Sequence, residues 1–418
     1  MMRTRNTVFL SAHKAFVAAL SIVGIWLLLA LWASAAHAVD FDAAKLATIP
    51  TKMQPFLDKQ ELSGYVTVVG TKDGVASIEA VGQRDSENKL PMTKDTLFKI
   101  ASMTKPITAM GIMILEEEGK LSVNDPVEKH LPEFLGQMLI TARENGALTL
   151  KKPPRPITIR DLLTHTSGLP GGFPPGLADL YKTRQRTLAE AVLVSSQRPL
   201  DFEPGLKWSY CNAGIDTLGR IIEVLSGQSY EAFLQARIFQ PLGMNDTSFF
   251  PTTEQLARVA QIYDQKEGKL VPTANLIVGP PAGAKHPIPA GGLYSTGGDL
   301  AKLYQLMLQR GELNGKRILS EKSVATMTQL QTGDLPCGFT PGMGFGYGWA
   351  VVRQPEGVTA TLSPGTFGHG GAFGTQAWID PNKGMFVVLL IQRVGLKNSD
   401  GSEIRNLFQT TVMDAIKK

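Results

Sequence analysis

The chain has very little cysteine: only Cys211 and Cys337 among 418 residues. Two sulfurs are too few for a disulfide framework, so the fold must be held by apolar packing. The two can still pair, and spacing alone does not decide whether they do. No Cys/His spacing suggests zinc, and neither a metal nor a cofactor is expected. No run of Lys and Arg occurs, and no interleaving of basic with aromatic residues appears past the first 38 positions. Nucleic acid is therefore excluded as a partner. The formal net charge of +5 falls to +2 once Arg3, Arg5 and Lys14 are set aside. There is no internal repeat, which excludes a solenoid. There is no Gly-x-Ser-x-Gly elbow, which removes the α/β-hydrolase nucleophile.

A globular composition remains, with 43% hydrophobic and 19% charged residues, enough to bury a large core. The first 38 residues differ. Arg3, Arg5 and Lys14 precede an uncharged apolar run over residues 15–31, followed by Ala36-His37-Ala38. This is the pattern of an export signal cut after Ala38, and the periplasm is the expected destination. The run is also long enough to span a bilayer, so an uncleaved anchor and membrane association through this segment stay open.

The rest, residues 39–418, reads as one α+β domain. A helix is expected over residues 41–57, interrupted at Pro50 and Pro55. Strands over 64–70 and 75–81 flank the turn Lys72-Asp73-Gly74 and form a hairpin. Residues 111–289 read as mainly helical, with helices at 157–163, 187–195, 213–225 and 229–237, and irregular chain over 251–290. Further on come a helix at 299–310, a strand at 349–352 and a second hairpin, 376–379 with 385–392. The return strand of that hairpin is apolar throughout, as in a central strand covered on both faces. A helix over 403–416 ends the chain. The order predicts an antiparallel sheet built from both ends (about 39–110 and 290–418), flanked by helices, with a helical region inserted between.

One stretch combines a structural switch with reactive side chains. Residues 97–101 read as a short strand. From Thr104 the pattern turns helical, with Ile107, Met110, Ile114 and Leu115 on one face and Pro106 in the first turn. Ser102 sits where the strand hands over to the helix. Lys105, three residues on, lies over it on the same face. A serine hydroxyl needs a base to become a nucleophile, and a desolvated lysine can be that base. The spacing alone is weak, because Ser11–Lys14 and Ser86–Lys89 share it. The plain alternative is an N-cap serine beside a solvated lysine.

Partners must decide, and two distant segments offer them. Trp208-Ser-Tyr-Cys-Asn212 precedes a helix. A tyrosine can relay a proton, and an asparagine amide can hold a lysine and a substrate carbonyl. Gly368-His-Gly-Gly-Ala-Phe-Gly374 leads into a strand, and side-chain-free backbone there can approach a ligand and offer it an N–H.

Taken in order, Ser102-x-x-Lys105, Tyr210-x-Asn212 and His369-x-Gly371 resemble the active-site triplet of the serine β-lactamase and penicillin-binding protein superfamily. The match is nearest to the class C β-lactamase-like branch, with its family VIII carboxylesterases and D-aminopeptidases. Leu162-Leu-Thr-His-Thr-Ser-Gly-Leu169 and Ala290-Gly-Gly-Leu-Tyr-Ser-Thr-Gly297 resemble recurring segments of that branch. The resemblance implies that Ser102 is acylated, that Lys105 and Tyr210 share the base role, and that Asn212 orients Lys105 and the substrate. It also implies an oxyanion hole from the N–H groups of Ser102 and Ala372, with His369 and Gly371 lining the substrate site. The departure is His369, because β-lactamases and transpeptidases place a lysine there for the substrate carboxylate. A mostly neutral histidine favours small esters or amides, so an exported carboxylesterase is the leading expectation. The alternatives are a β-lactamase or D-amino-acid peptidase or amidase, or a non-catalytic cell-wall binding module.

Overall fold

The computed structural model describes residues 39–172, 174, 176–177, 184–273 and 283–417. The expected export signal lies outside them. No helix among the described residues is long and apolar enough to cross a membrane.

The chain enters through two short helices, α1 (Ala43–Leu46) and α2 (Ile49–Asp58), where a single interrupted helix was expected. The break falls at Ala47 and Thr48. Pro50 then occupies the first turn of α2, where its missing N–H is harmless. Three strands follow: β1 (Gly64–Thr71), β2 (Gly74–Asp85) and β3 (Leu90–Pro91). Helix α3 (Thr104–Glu117) comes next. The helical region supplies α4 (Ile159–Leu163), α5 (Leu188–Ser196) and α6 (Asn212–Ser226). Helix α7 (Gly297–Leu308) leads back to the sheet, which is completed by β4 (Met343–Phe345), β5 (Ala350–Val352), β6 (Phe367–Gly370), β7 (Gln376–Asp380) and β8 (Met385–Leu390). Helix α8 (Glu403–Asp414) ends the chain.

The eight strands are ordered β4-β5-β6-β7-β8-β1-β2-β3, antiparallel throughout. The first three strands of the chain thus extend a sheet begun by the last five. The joint is β1 against β8, with Val66 opposite Leu390 and Thr71 opposite Met385. Every residue of both strands is buried, as the apolar run in β8 predicted. Alternation sends Val66, Val68, Val388 and Leu390 into one core and Tyr65, Val69, Val387 and Leu389 into another. Helix α7 covers the first face, while α2 and α8 cover the second. The start of α7 lies so close to β1 that a side chain at Gly297 would come within 2.9 Å of Val68.

Helix α3 is buried from Thr104 to Leu115, on every face rather than on one stripe. Such a helix is a core element. Lys105 lies inside this buried stretch.

Three expectations need correcting. Residues 97–101 form no full strand: only Phe98–Lys99 pair, with Tyr294–Ser295, and Ala101–Met103 make a 3-10 turn into α3. The helical region contains a hairpin, Leu139–Glu144 with Ala147–Lys151, whose charged and exposed residues hide its alternation. Another hairpin, Tyr263–Lys266 with Lys269–Pro272, lies in the stretch expected to be irregular.

Candidate active site

Ser102 stands in the 3-10 turn that feeds α3, and the turn is strained. Ala101 holds φ at +45°, a conformation that costs a non-glycine residue on the order of 1–3 kcal/mol. Neighbours enforce it. The Thr104 hydroxyl donates to the Ala101 carbonyl at 2.7 Å, and the Ile100 N–H donates to Leu293 at 3.0 Å. Gly371 packs against the other side: a Cβ there would lie 2.6 Å from the Ile100 oxygen and 3.4 Å from the Ala101 Cβ. The end of β6 is thereby brought onto the serine turn.

Lys105 is fully buried, and its Nζ donates to Ser102 Oγ at 3.0 Å and to the Ala290 carbonyl at 2.6 Å. Burial lowers its pKa to about 7, against the opposing pull of Asp216 and Cys211. The same Nζ lies 4.6 Å from the centre of the Tyr210 ring. Loss of hydration pushes the Tyr210 hydroxyl well above its ordinary value, and a hydrogen bond with Ser102 pulls it partly back. Near neutral pH the phenol therefore keeps its proton, while burial favours the neutral form of the lysine.

Tyr210 is set among rings. His165 stacks at 4.6 Å, Phe339 meets it edge-on at 5.0 Å, and His369 lies 6.1 Å away. His165 carries φ +60°, and its Nδ1 accepts the Cys211 N–H at 3.2 Å, which locks the chain beside Tyr210. Cys211 and Cys337 are both free thiols; the Cys211 Sγ accepts the Gly214 N–H and so caps α6.

Asn212 opens α6 half-buried. The hydrogen bonds of Lys105 run to Ser102 and Ala290 and not to Asn212. The expected hold on the lysine is thus exerted by a backbone carbonyl. That carbonyl is itself fixed, because Asp216, one turn along α6, accepts the Ala290 N–H at 2.9 Å. Neither Ala290 nor Asp216 stood out as a working residue in the sequence. Ala290 lies in a recognisable segment, but a carbonyl leaves no mark in the residue type.

His369 is buried on β6. Its Nδ1 lies 2.6 Å from the Gly370 carbonyl, which can only accept, so Nδ1 carries the proton. Nε2 is left as a buried acceptor without a partner. Burial, together with the charge on Lys105, lowers its pKa to about 4. His369 is therefore neutral and offers no cation at Nε2. Beyond it, the Gly371 N–H donates to Thr375 at 2.8 Å, and Ala372 sits exposed at the tip of the turn. The Ala372 N–H meets no carbonyl among the described residues.

Fold and site together define a class: α+β proteins with a serine–lysine pair at the mouth of a buried helix, facing the end of an antiparallel strand. The Beta-lactamase family model matches residues 49–411, and the chain belongs to that family. It is 30% identical to esterase EstB of Burkholderia gladioli over 379 residues, covering 84% of this chain and 92% of that one. It is 32% identical to penicillin-binding protein 4 of Amycolatopsis lactamdurans over 305 residues, or 72% of this chain and 73% of the other. Among solved structures, EstCE1, described as a hydrolase with promiscuous acyltransferase activity, superposes with a TM-score of 0.73. That match has 25% identity and covers 89% of this chain and 98% of that one.

Proposed function

We propose that this protein is a serine hydrolase that forms an acyl-enzyme at Ser102 and acts on small carboxylic esters. The observation that carries the reading is the 3.0 Å contact between Ser102 Oγ and a buried Lys105 amine whose pKa is about 7. Neutral Lys105 takes the hydroxyl proton as Oγ attacks the ester carbonyl. The N–H groups of Ser102 and Ala372 stabilise the resulting oxyanion, a kind of donor whose loss typically costs about 10²–10³ in rate. The proton passes to the leaving alcohol through Lys105 or the Tyr210 hydroxyl, and water then releases the acid by the reverse sequence. Asn212 is assigned to the substrate carbonyl, and His369 and Gly371 line the acyl side.

An ester is preferred over a lactam because His369 is neutral and presents an acceptor. It cannot supply the positive charge with which a lysine would hold a lactam carboxylate. A β-lactamase or D-peptidase is the second reading, supported by the likeness to a penicillin-binding protein. Hydrolysis of 4-nitrophenyl butyrate compared with a chromogenic cephalosporin separates the two; faster turnover of the cephalosporin refutes the esterase assignment. Labelling by a fluorophosphonate probe tests the acyl-enzyme itself. Labelling of the wild type and none of Ser102→Ala is expected, and labelling that survives the substitution refutes it. Export through residues 1–38 belongs to the same proposal, and fractionation of expressing cells checks it.

A further inference from the structure

Three residues before Ser102, the chain carries a cation that the catalytic proposal does not use. Lys99 pairs with Tyr294 in the two-residue ladder that steadies the serine turn, and its Nζ lies 5.7 Å from the centre of the Tyr294 ring. Arg184 lies close enough to act electrostatically on Lys99 and to be acted on by Tyr294. It is fully buried; its Nε donates to the His286 carbonyl at 3.0 Å, and its guanidinium carbon lies 5.1 Å from the centre of the Phe250 ring. Both terminal nitrogens, Nη1 and Nη2, are buried without a hydrogen-bond partner.

The electrostatics are one-sided. Burial lowers the pKa of Arg184 to about 10, and Tyr294 alone works the other way. Burial also lowers Lys99, and the charge of Arg184 lowers it further. Among the described residues, no carboxylate acts on either group. A buried guanidinium without an anion is costly, and its retention beside a second cation points to a use for it. Arginine's planar fork matches a two-oxygen anion in bidentate fashion, and an ammonium adds a point charge.

We propose that Arg184 and Lys99 form a binding site for a carboxylate- or phosphate-type oxyanion beside the nucleophile. Three residues of chain separate Lys99 from Ser102, a span of at most about 11 Å. Tyr294 stands in the segment whose Ala290 carbonyl holds Lys105. A group bound at Lys99 therefore sits near the serine turn. The anion is either a carboxylate on the substrate or a free ion.

The test is calorimetric titration of the full chain with inorganic phosphate and with glutarate at constant chloride, in wild type and in Ser102→Ala. One site per chain is expected in both. Lys99→Gln and Arg184→Gln should each weaken it by about tenfold or more, the value of a hydrogen bond to a charged group. No binding of either anion by folded wild type overturns the proposal, and so does undiminished binding by Lys99→Gln. The wild-type titration and Lys99→Gln decide the matter even if Arg184→Gln does not fold. Kinetics then identify the source. A loss in Lys99→Gln confined to the 4-nitrophenyl monoester of glutarate, with the butyrate ester spared, assigns the site to a substrate carboxylate. Phosphate binding with both esters unaffected assigns it to a free anion. Because binding is read in Ser102→Ala, failure of the esterase reading leaves this test intact.

Discussion

Lys105 sheds its proton near pH 7 because burial penalises the charged amine. The base must be neutral to act, so kcat/KM on a neutral ester should rise with pH through about 7 and then level off. Asp216 favours the charged amine, so Asp216→Asn should move this limb to lower pH; a pH–rate profile of the two proteins checks the direction. The same group governs stability. An unfolded lysine titrates near 10.5, so between about 7 and 10.5 the unfolded chain binds the extra proton and stability rises with pH. Lys105→Met should abolish this rise and increase Tm at pH 7 while eliminating turnover, as thermal melts across the window would show. His369 adds a window on the acid side. With a folded pKa of about 4 against an ordinary 6.5, it makes stability fall as pH drops through that interval. His369→Lys should shift a substrate panel toward carboxylate-bearing compounds, and an unchanged profile would mean that this side chain does not face the substrate.

The turn after β6 does its work through an absence of side chain. At Gly371 a Cβ would lie 2.1 Å from Thr375 Oγ1 and 2.6 Å from the Ile100 oxygen, and backbone cannot yield as a flexible side chain can. Gly371→Ala should push the Ala372 N–H off the serine turn. We expect a loss of about 10²–10³ in kcat, the scale of a lost oxyanion donor, and overpacking that costs about 1–3 kcal/mol. Gly298→Ala in α7 is the control: its nearest neighbour is Thr296 Oγ1 at 4.0 Å, and activity should be unchanged. Comparing kcat with urea midpoints for the pair separates a local from a global effect. Helix α3 makes the complementary point. It positions Lys105 because it is buried on all sides, which strips the amine of bulk hydration and directs it to Ser102 and the Ala290 carbonyl.

Among the described residues, two large cores lie on the two faces of the sheet, and the second depends on a helix from the far end of the chain. Phe408 of α8 packs in that core. Phe408→Ala should lower stability by about 3–5 kcal/mol with little change in kcat, since Ser102 and Lys105 are held by α3, whose apolar residues belong to the first core; denaturant unfolding with an unchanged m-value checks this. The sequence by itself determined the α+β class, the sheet made from both ends and the central position of β8. Period-two and period-3.6 burial are written in residue type, and an all-apolar strand has nowhere to go but inside. It also marked Ser102, Lys105, Tyr210 and His369 as candidates, because three ordered motifs together resemble a known active-site triplet where no single spacing would have sufficed. Only the tertiary structure decided that the Ala290 carbonyl rather than Asn212 grips the lysine, that His369 presents a bare acceptor, and that Lys99 and Arg184 come together with no carboxylate acting on them among the described residues. Those facts are carried by backbone atoms, by tautomers and by the exclusion of water. They come into being only when segments from opposite ends of the chain close upon one another.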